Sequence, residues 1–346
     1  MQSQDKKRIS YYAALSILFG AIELFIPKVL PFFRLGFANI PILLALDFSF
    51  PSFILLALLK ALGNSYISGN IFSFFVLISI AQSLASASSM WLLNKTKLFS
   101  NYGLSIVGAS VSAITQLLVA SLYIGNSVLS FLPMMLLVSL VSSIAVAFFS
   151  YKLEALREPP ELNWNESNKT DKAVVLCLLV SALAAISIDS IPLSLIALAI
   201  AFMLQKAAKR KIMVMPHFTI ALFMVAFSLL TPEGRIIAKL GEFKITEGAL
   251  AIGAIKAIRL SLTIAISQAY CMYIAPGDNV LGDTLKYATS LFASFKKEKG
   301  NVEERILKTL SLEKIEASSM NKKAPKKSFA ISTAALLALS ILSILL

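Results

Sequence analysis

The stretch SFILLALLKALGNSYISGNIFSFFVLISIAQSLAS, residues 52–86, holds two apolar runs joined by a short polar turn. Neither run alternates apolar and polar residues as a membrane-barrel strand does. Each approaches the ~20 residues that an α-helix needs to cross a bilayer. The same pattern recurs along the chain. Of its 346 residues, 57% are hydrophobic and 15% charged, against about 45–50% and about 25% in soluble domains. In hydrocarbon only helices and closed barrels satisfy their own backbone groups, so the composition implies an all-α integral membrane protein.

Apolar runs place about eleven spans. Six fall in the first half, at 9–26, 37–50 (short), 51–66, 70–93, 102–124 and 128–151. Five fall in the second, at 173–188, 191–205, 212–231, 249–275 and 328–346. Residues 152–172 are polar, contain a Pro-Pro pair, and read as a cytoplasmic linker. The chain thus divides into a membrane domain at 1–151, a linker at 152–172 and a second membrane domain at 173–346.

A net charge of +13 raises nucleic acid as a partner, but the positions of the charges exclude it. They flank spans at Lys6, Lys7 and Arg8, at Lys95 and Lys97, at Lys206 to Lys211, and through 286–327. That is the positive-inside pattern. It predicts a multi-pass protein of the cytoplasmic membrane with its N-terminus inside. The basic start precedes an apolar run without a small-residue cleavage site, so 9–26 reads as a retained helix. Cys177 and Cys271 lie inside predicted helices with no metal or redox spacing, and His217 is the sole histidine.

Within 276–327, Leu285, Ala288, Leu291, Phe292 and Phe295 recur at helical spacing. Val302, Ile306, Leu307 and Leu310 do the same after Gly300. Two amphipathic helices follow, at about 277–320. The pattern fits packing on the protein's own loops or on lipid, and equally a docking platform for a soluble partner.

Enzyme signatures are missing. There is no GxxxxGK[ST], no HExxH and no GxSxG, and Asp47, Asp171, Asp189, Asp278 and Asp283 are scattered. Catalysis in this chain is not expected. Lys60 is the more telling residue, a charge inside an apolar helix. Snorkelling, an ion pair with Glu23, and contact with a solute all suit it. Arg34 and Lys28 fall on the same predicted outer side, and Asn39, Asn64, Asn70 and Gln116 add carboxamides near membrane depth. Together they outline an outward-facing polar pocket whose excess cations suit a carboxylate or phosphate.

These residues bring a family into view. RLGFANIPILLAL, then LLKALGNSYISGNIFSFFVLISIAQSLAS and ITQLLVA, resemble the Gx family of energy-coupling factor (ECF) substrate-binding subunits, also labelled heptaprenyl diphosphate synthase component I. The likeness spans roughly 9–150. Its signature falls on Arg34, Leu35, Gly36, Ala38 and Asn39, with Lys60 and Gly63, Gly69 and Asn70, and Gln116. Lys60 stands where that family more often has arginine. The resemblance implies solute contacts from Arg34, Gly36, Asn39, Lys60, Asn64, Asn70 and Gln116, with Glu23 in a supporting ion pair.

Residues 247–292 are similar to the transmembrane T component of the same transporters, a likeness that extends over roughly 173–346. That implies separate ATPase partners, which consume the ATP, docked through Leu285, Phe292, Arg305, Ile306 and Leu310. The family's Ala-Arg-Ser or Ala-Arg-Gly triplets are absent, and Arg305 is the only arginine in 276–327. The chain itself is expected to hold no cofactor and no metal. Two other readings stay open: an accessory membrane protein of isoprenoid or quinone metabolism, and a scaffold with a vestigial T half.

Overall fold

The computed structural model describes residues 3–23, 36–153, 158–164, 171–240, 243–271, 273–274, 276–312, 314–317 and 324–345. Among them lie thirteen α-helices and four short strands. The first half holds α1 (Ser3–Glu23), α2 (Ile40–Leu44), α3 (Phe50–Ser68), α4 (Phe74–Thr96), α5 (Asn101–Ile124) and α6 (Leu132–Lys152). Strand β1 (Glu161–Trp164) lies in the linker. The second half has α7 (Lys172–Ile186), α8 (Ile191–Ala207), α9 (Val214–Leu229), the hairpin β2 (Ile236–Leu240) and β3 (Phe243–Thr246), and α10 (Glu247–Cys271). Then come α11 (Val280–Lys297), α12 (Val302–Leu310), β4 (Lys314–Ala317) and α13 (Lys326–Leu345).

Local chemistry sets many of the helix starts. Proline occupies the first turn of α2, α3, α6 and α8, where its missing N–H costs nothing. Asp171, Asn279 and Asn301 cap α7, α11 and α12 through side-chain oxygens. The protein is an all-α, multi-pass membrane protein. By length and composition, α3, α4, α5, Asn126–Lys152, α10 and α13 can each cross a bilayer. The apolar helices α7, α8 and α9 have 15, 17 and 16 residues. At 1.5 Å per residue they span about 22–26 Å, short of the ~30 Å hydrocarbon thickness.

The span expected at 37–50 needs correction. It is a one-turn 3-10 helix at Phe37–Asn39, then the five-residue α2, then a turn. It nevertheless runs the length of α1. The Gly36 N–H donates to Glu23 at one end (3.3 Å), and Asp47 pairs with Arg8 at the other (3.4 Å). Those α1 residues stand fifteen apart, about 22 Å of helix, yet only eleven steps separate Gly36 from Asp47. Covering that distance requires a more extended path than an α-helix allows.

The two halves meet in two ways. First, α11 lies along α1. Ser10 Oγ donates to the Val280 carbonyl (3.2 Å), and the Tyr11 and Tyr287 rings meet edge-to-face at 5.9 Å. Leu291 and Phe295 join the core formed by Ile9, Tyr11 and Ile17. Second, α10 meets one end of the α3–α6 bundle. Tyr66 donates to the Ile274 carbonyl, the Phe72 N–H to Ser267 Oγ (3.0 Å), and Tyr123 to the Lys256 carbonyl (3.0 Å). Phe74 and Tyr123 stack at 4.8 Å, so these bundle residues share one level. Their partners Lys256 and Ser267 are eleven residues apart, about 16 Å along α10. Helix α10 therefore runs across the end of the bundle rather than beside its helices.

The linker is not a free leash. β1 pairs in parallel with β4, Glu161 opposite Lys314 through Trp164 opposite Ala317. Tyr287 also donates to the Pro160 carbonyl (3.2 Å).

Candidate functional site

Glu23, Gly36, Asn39, Lys60 and Asn64 come together where the end of α1, the 3-10 turn and α3 meet. Lys60 is 7% exposed, and its ammonium donates to Asn39 Oδ1. Gly36 has φ 93°, a left-handed conformation in which a side chain is strained, and a Cβ there would lie 3.4 Å from Asn39 Nδ2. That glycine lets the turn close while its N–H reaches the Glu23 carboxylate. Asn64, one helical turn beyond Lys60, is buried against Gly20. Its Nδ2 has no hydrogen-bond partner among the described residues.

Arg34, the other expected cation, and Lys28 lie outside the described residues. Asn70 ends the α3 turn: its N–H donates to the Ser65 carbonyl (2.9 Å), and its own carbonyl accepts from Ser73 Oγ (2.7 Å). It belongs to the end of the bundle that meets α10, ten residues further along the chain than Lys60. Gln116 is buried on α5, one turn beyond Ser112, which donates to Gln82 Oε1 at 3.5 Å. Gln82 was not singled out from sequence. It is a carboxamide at membrane depth like Gln116, and that shared property is the signal that marks it.

Buried serines extend this polar interior. Ser79, Ser83 and Ser86 lie on α4, Ser105 on α5, and Ser139, Ser142 and Ser143 on α6. Ser105 Oγ donates to the Ser143 carbonyl (2.8 Å), so part of this polarity is helix–helix contact.

The residues expected to dock ATPases divide. Leu285 is buried, Leu310 belongs to the chain's own core with α1, and Ile306 packs against that core. Their apolarity is spent internally. Phe292 is 37% exposed. Arg305 does not project outward: Nε and Nη2 donate to the Phe295 carbonyl (3.1 and 2.7 Å), and the guanidinium lies 4.1 Å from the Phe295 ring centroid. It satisfies a carbonyl in the last turn of α11 that lacks an intrahelical partner. The exposed side of α12 carries Val302 and Leu307.

His217 is buried with its ring 5.2 Å from Phe202, and Cys177 and Cys271 are free thiols. No group of three or more potential metal ligands occurs among the described residues.

A helical membrane protein with a buried ammonium–carboxamide cluster in its first half is the class the fold defines. Residues 12–153 are similar to the family described as heptaprenyl diphosphate synthase component I. Residues 170–272 match a domain of unknown function (DUF8519). No curated protein and no solved structure matches the chain. The first match contains every residue of the Lys60 cluster, and the gap between the two matches holds β1.

Proposed function

We propose that this chain is the membrane subunit of an ECF-type ABC importer, residing in the cell membrane with its N-terminus cytoplasmic. The first half captures a small anionic solute from outside, and the second couples it to separate ATPases. The observation that carries this reading is the Lys60 cluster. A charge at membrane depth costs a few kcal/mol on insertion scales and is retained where it meets a partner or a ligand. Glu23 and Lys60 offset one another's charge, so on this reading the preference for a carboxylate or phosphate rests on Arg34, which lies outside the described residues. The unpartnered Asn64 Nδ2 adds a neutral donor for the same solute.

The packing of the halves supports coupling. A bundle whose end is turned against α10, and whose α1 rests on the amphipathic α11, must rock before its pocket can face the other side of the membrane. The exposed apolar residues Phe292, Val302 and Leu307 are the surface left for an ATPase pair.

The test is affinity purification of the detergent-solubilised chain from its native membrane. A nucleotide-binding pair and a small anion should co-purify. Absence of any ATPase, with no ATP-dependent uptake in vesicles, sinks the coupling half of the reading. A second reading has one observation in its favour, the likeness of residues 12–153 to heptaprenyl diphosphate synthase component I: an accessory role in prenyl diphosphate synthesis. Prenyl chain elongation that rises when the chain is added favours that role.

A further inference from the structure

The seam between the halves holds a groove of about 370 Å³. Its walls are Phe72 and Phe74 before and at the start of α4, Leu77 of α4, Ile186 ending α7, and Arg259 and Leu260 of α10. Its described lining includes no carboxylate. Leu77 and Ile186 are 58% and 59% exposed, so the groove opens sideways onto a surface that hydrocarbon covers. A water-soluble ligand would have to cross that apolar rim, whereas an acyl chain is already beside it.

The height of Arg259 fixes which part of a lipid it meets. Lys326, which opens α13, pairs with Asp171, which caps α7. Seventeen residues further along α13, about 25 Å, Ser343 Oγ accepts from the Asp189 N–H (2.9 Å). Arg259 reaches this level, its Nε donating to the Ile188 carbonyl (2.9 Å) and its guanidinium pairing with Asp189. The Asp189 side chain is 81% exposed, which suits the polar headgroup layer and not hydrocarbon. With a core ~30 Å thick, the guanidinium stands at the membrane's polar boundary. From there the groove descends beside α10 toward Ser267, which holds the Phe72 N–H, about 12 Å of helix away.

We propose that this groove seats one acyl chain of an anionic glycerophospholipid, with the lipid phosphate on Arg259. A guanidinium has five N–H donors, and Ile188 and Asp189 leave some of them for a phosphate oxygen. A chain of lipid here lets the two halves slide past one another without baring apolar surface.

Native mass spectrometry of the full chain in detergent tests this, by titration with phosphatidylglycerol or phosphatidylcholine bearing the same chains. The first phosphatidylglycerol should bind at least about tenfold more tightly than the first phosphatidylcholine. Arg259→Gln should bring the two lipids to parity. Ile186→Trp narrows the exposed mouth, leaves Arg259 intact, and should weaken both lipids at least about fivefold. It also carries the test if Arg259→Gln does not fold. Equal binding of the two lipids by the unaltered chain overturns the proposal, as does a preference untouched by either variant. Displacement by equimolar glycerol 1-phosphate, a headgroup without chains, assigns Arg259 to a soluble anion and overturns it too.

Discussion

Of the buried polar clusters among the described residues, one in each half follows a different rule. In the second half the hydroxyls of Tyr270, Ser181 and Thr333 lie 3.0–3.4 Å from one another and join α10, α7 and α13. Thr333 also donates to the Phe329 carbonyl (2.8 Å). Each hydroxyl has partners, and the network closes on itself. The first-half cluster is open: Lys60 is held by Asn39, while Asn64 Nδ2 has no partner among the described residues. A closed network joins helices; an open one retains donors for something that arrives later.

The comparison can be broken at its strongest point first. Lys60→Ala should lower affinity for the co-purified solute about 10–100-fold, the equivalent of one charge-assisted hydrogen bond. Calorimetric titration checks this, and unchanged affinity returns Lys60 to an ion-pairing role. Tyr270→Phe should do the reverse, costing about 0.5–1.5 kcal/mol of stability in denaturant unfolding while leaving solute affinity untouched. Asn64→Leu keeps the side-chain shape and removes the unpartnered amide. Stability should hold or rise by up to about 1 kcal/mol while affinity falls about fivefold. A parallel loss of both would make Asn64 part of the packing.

The smallest effect concerns the foot of α7. The Asp171 carboxyl is held below the usual carboxylate range, first by its hydrogen bond from Lys326 and then by the Ala173 N–H. A depressed folded pKa contributes stability above the unfolded value, near pH 4, and loses it as pH falls through the folded one. Asp171→Asn should therefore lower stability between pH 5 and 8, where the carboxylate contributes, and the deficit should shrink as pH falls below about 4. A deficit that stays the same down to low pH would point to something other than the carboxylate's charge, since asparagine caps a helix as well as aspartate does.

Much of the fold was legible because long apolar runs leave few choices. The run at 102–124 became α5 (Asn101–Ile124), and that at 328–346 became α13 (Lys326–Leu345). The segment at 37–50 resisted, since Gly36 and Pro41 permit a mixed path that hydropathy alone cannot distinguish from a short helix. Lys60 stood out as a charge within an apolar run, and Asn39 as a carboxamide at the edge of one. That they touch, 21 residues apart, is a tertiary fact. The two amphipathic helices α11 and α12 were visible in their periodicity, but periodicity does not say what covers an apolar face. Helix α1 covers that of α11 at Ala288, Leu291 and Phe295, and Leu285 is buried as well. The β1–β4 pairing left no trace in sequence, because each strand is four residues of mixed character.

That small parallel pairing sets the mechanical limits of the chain. Only eight steps separate Leu153, where α6 ends, from Glu161, where β1 is moored to β4. Fully extended, they reach no more than about 28 Å. The first half can turn about this mooring but cannot drift away in the plane of the membrane. The same two halves therefore stay within reach of each other, which favours the first half's own α1 for the place beside α11.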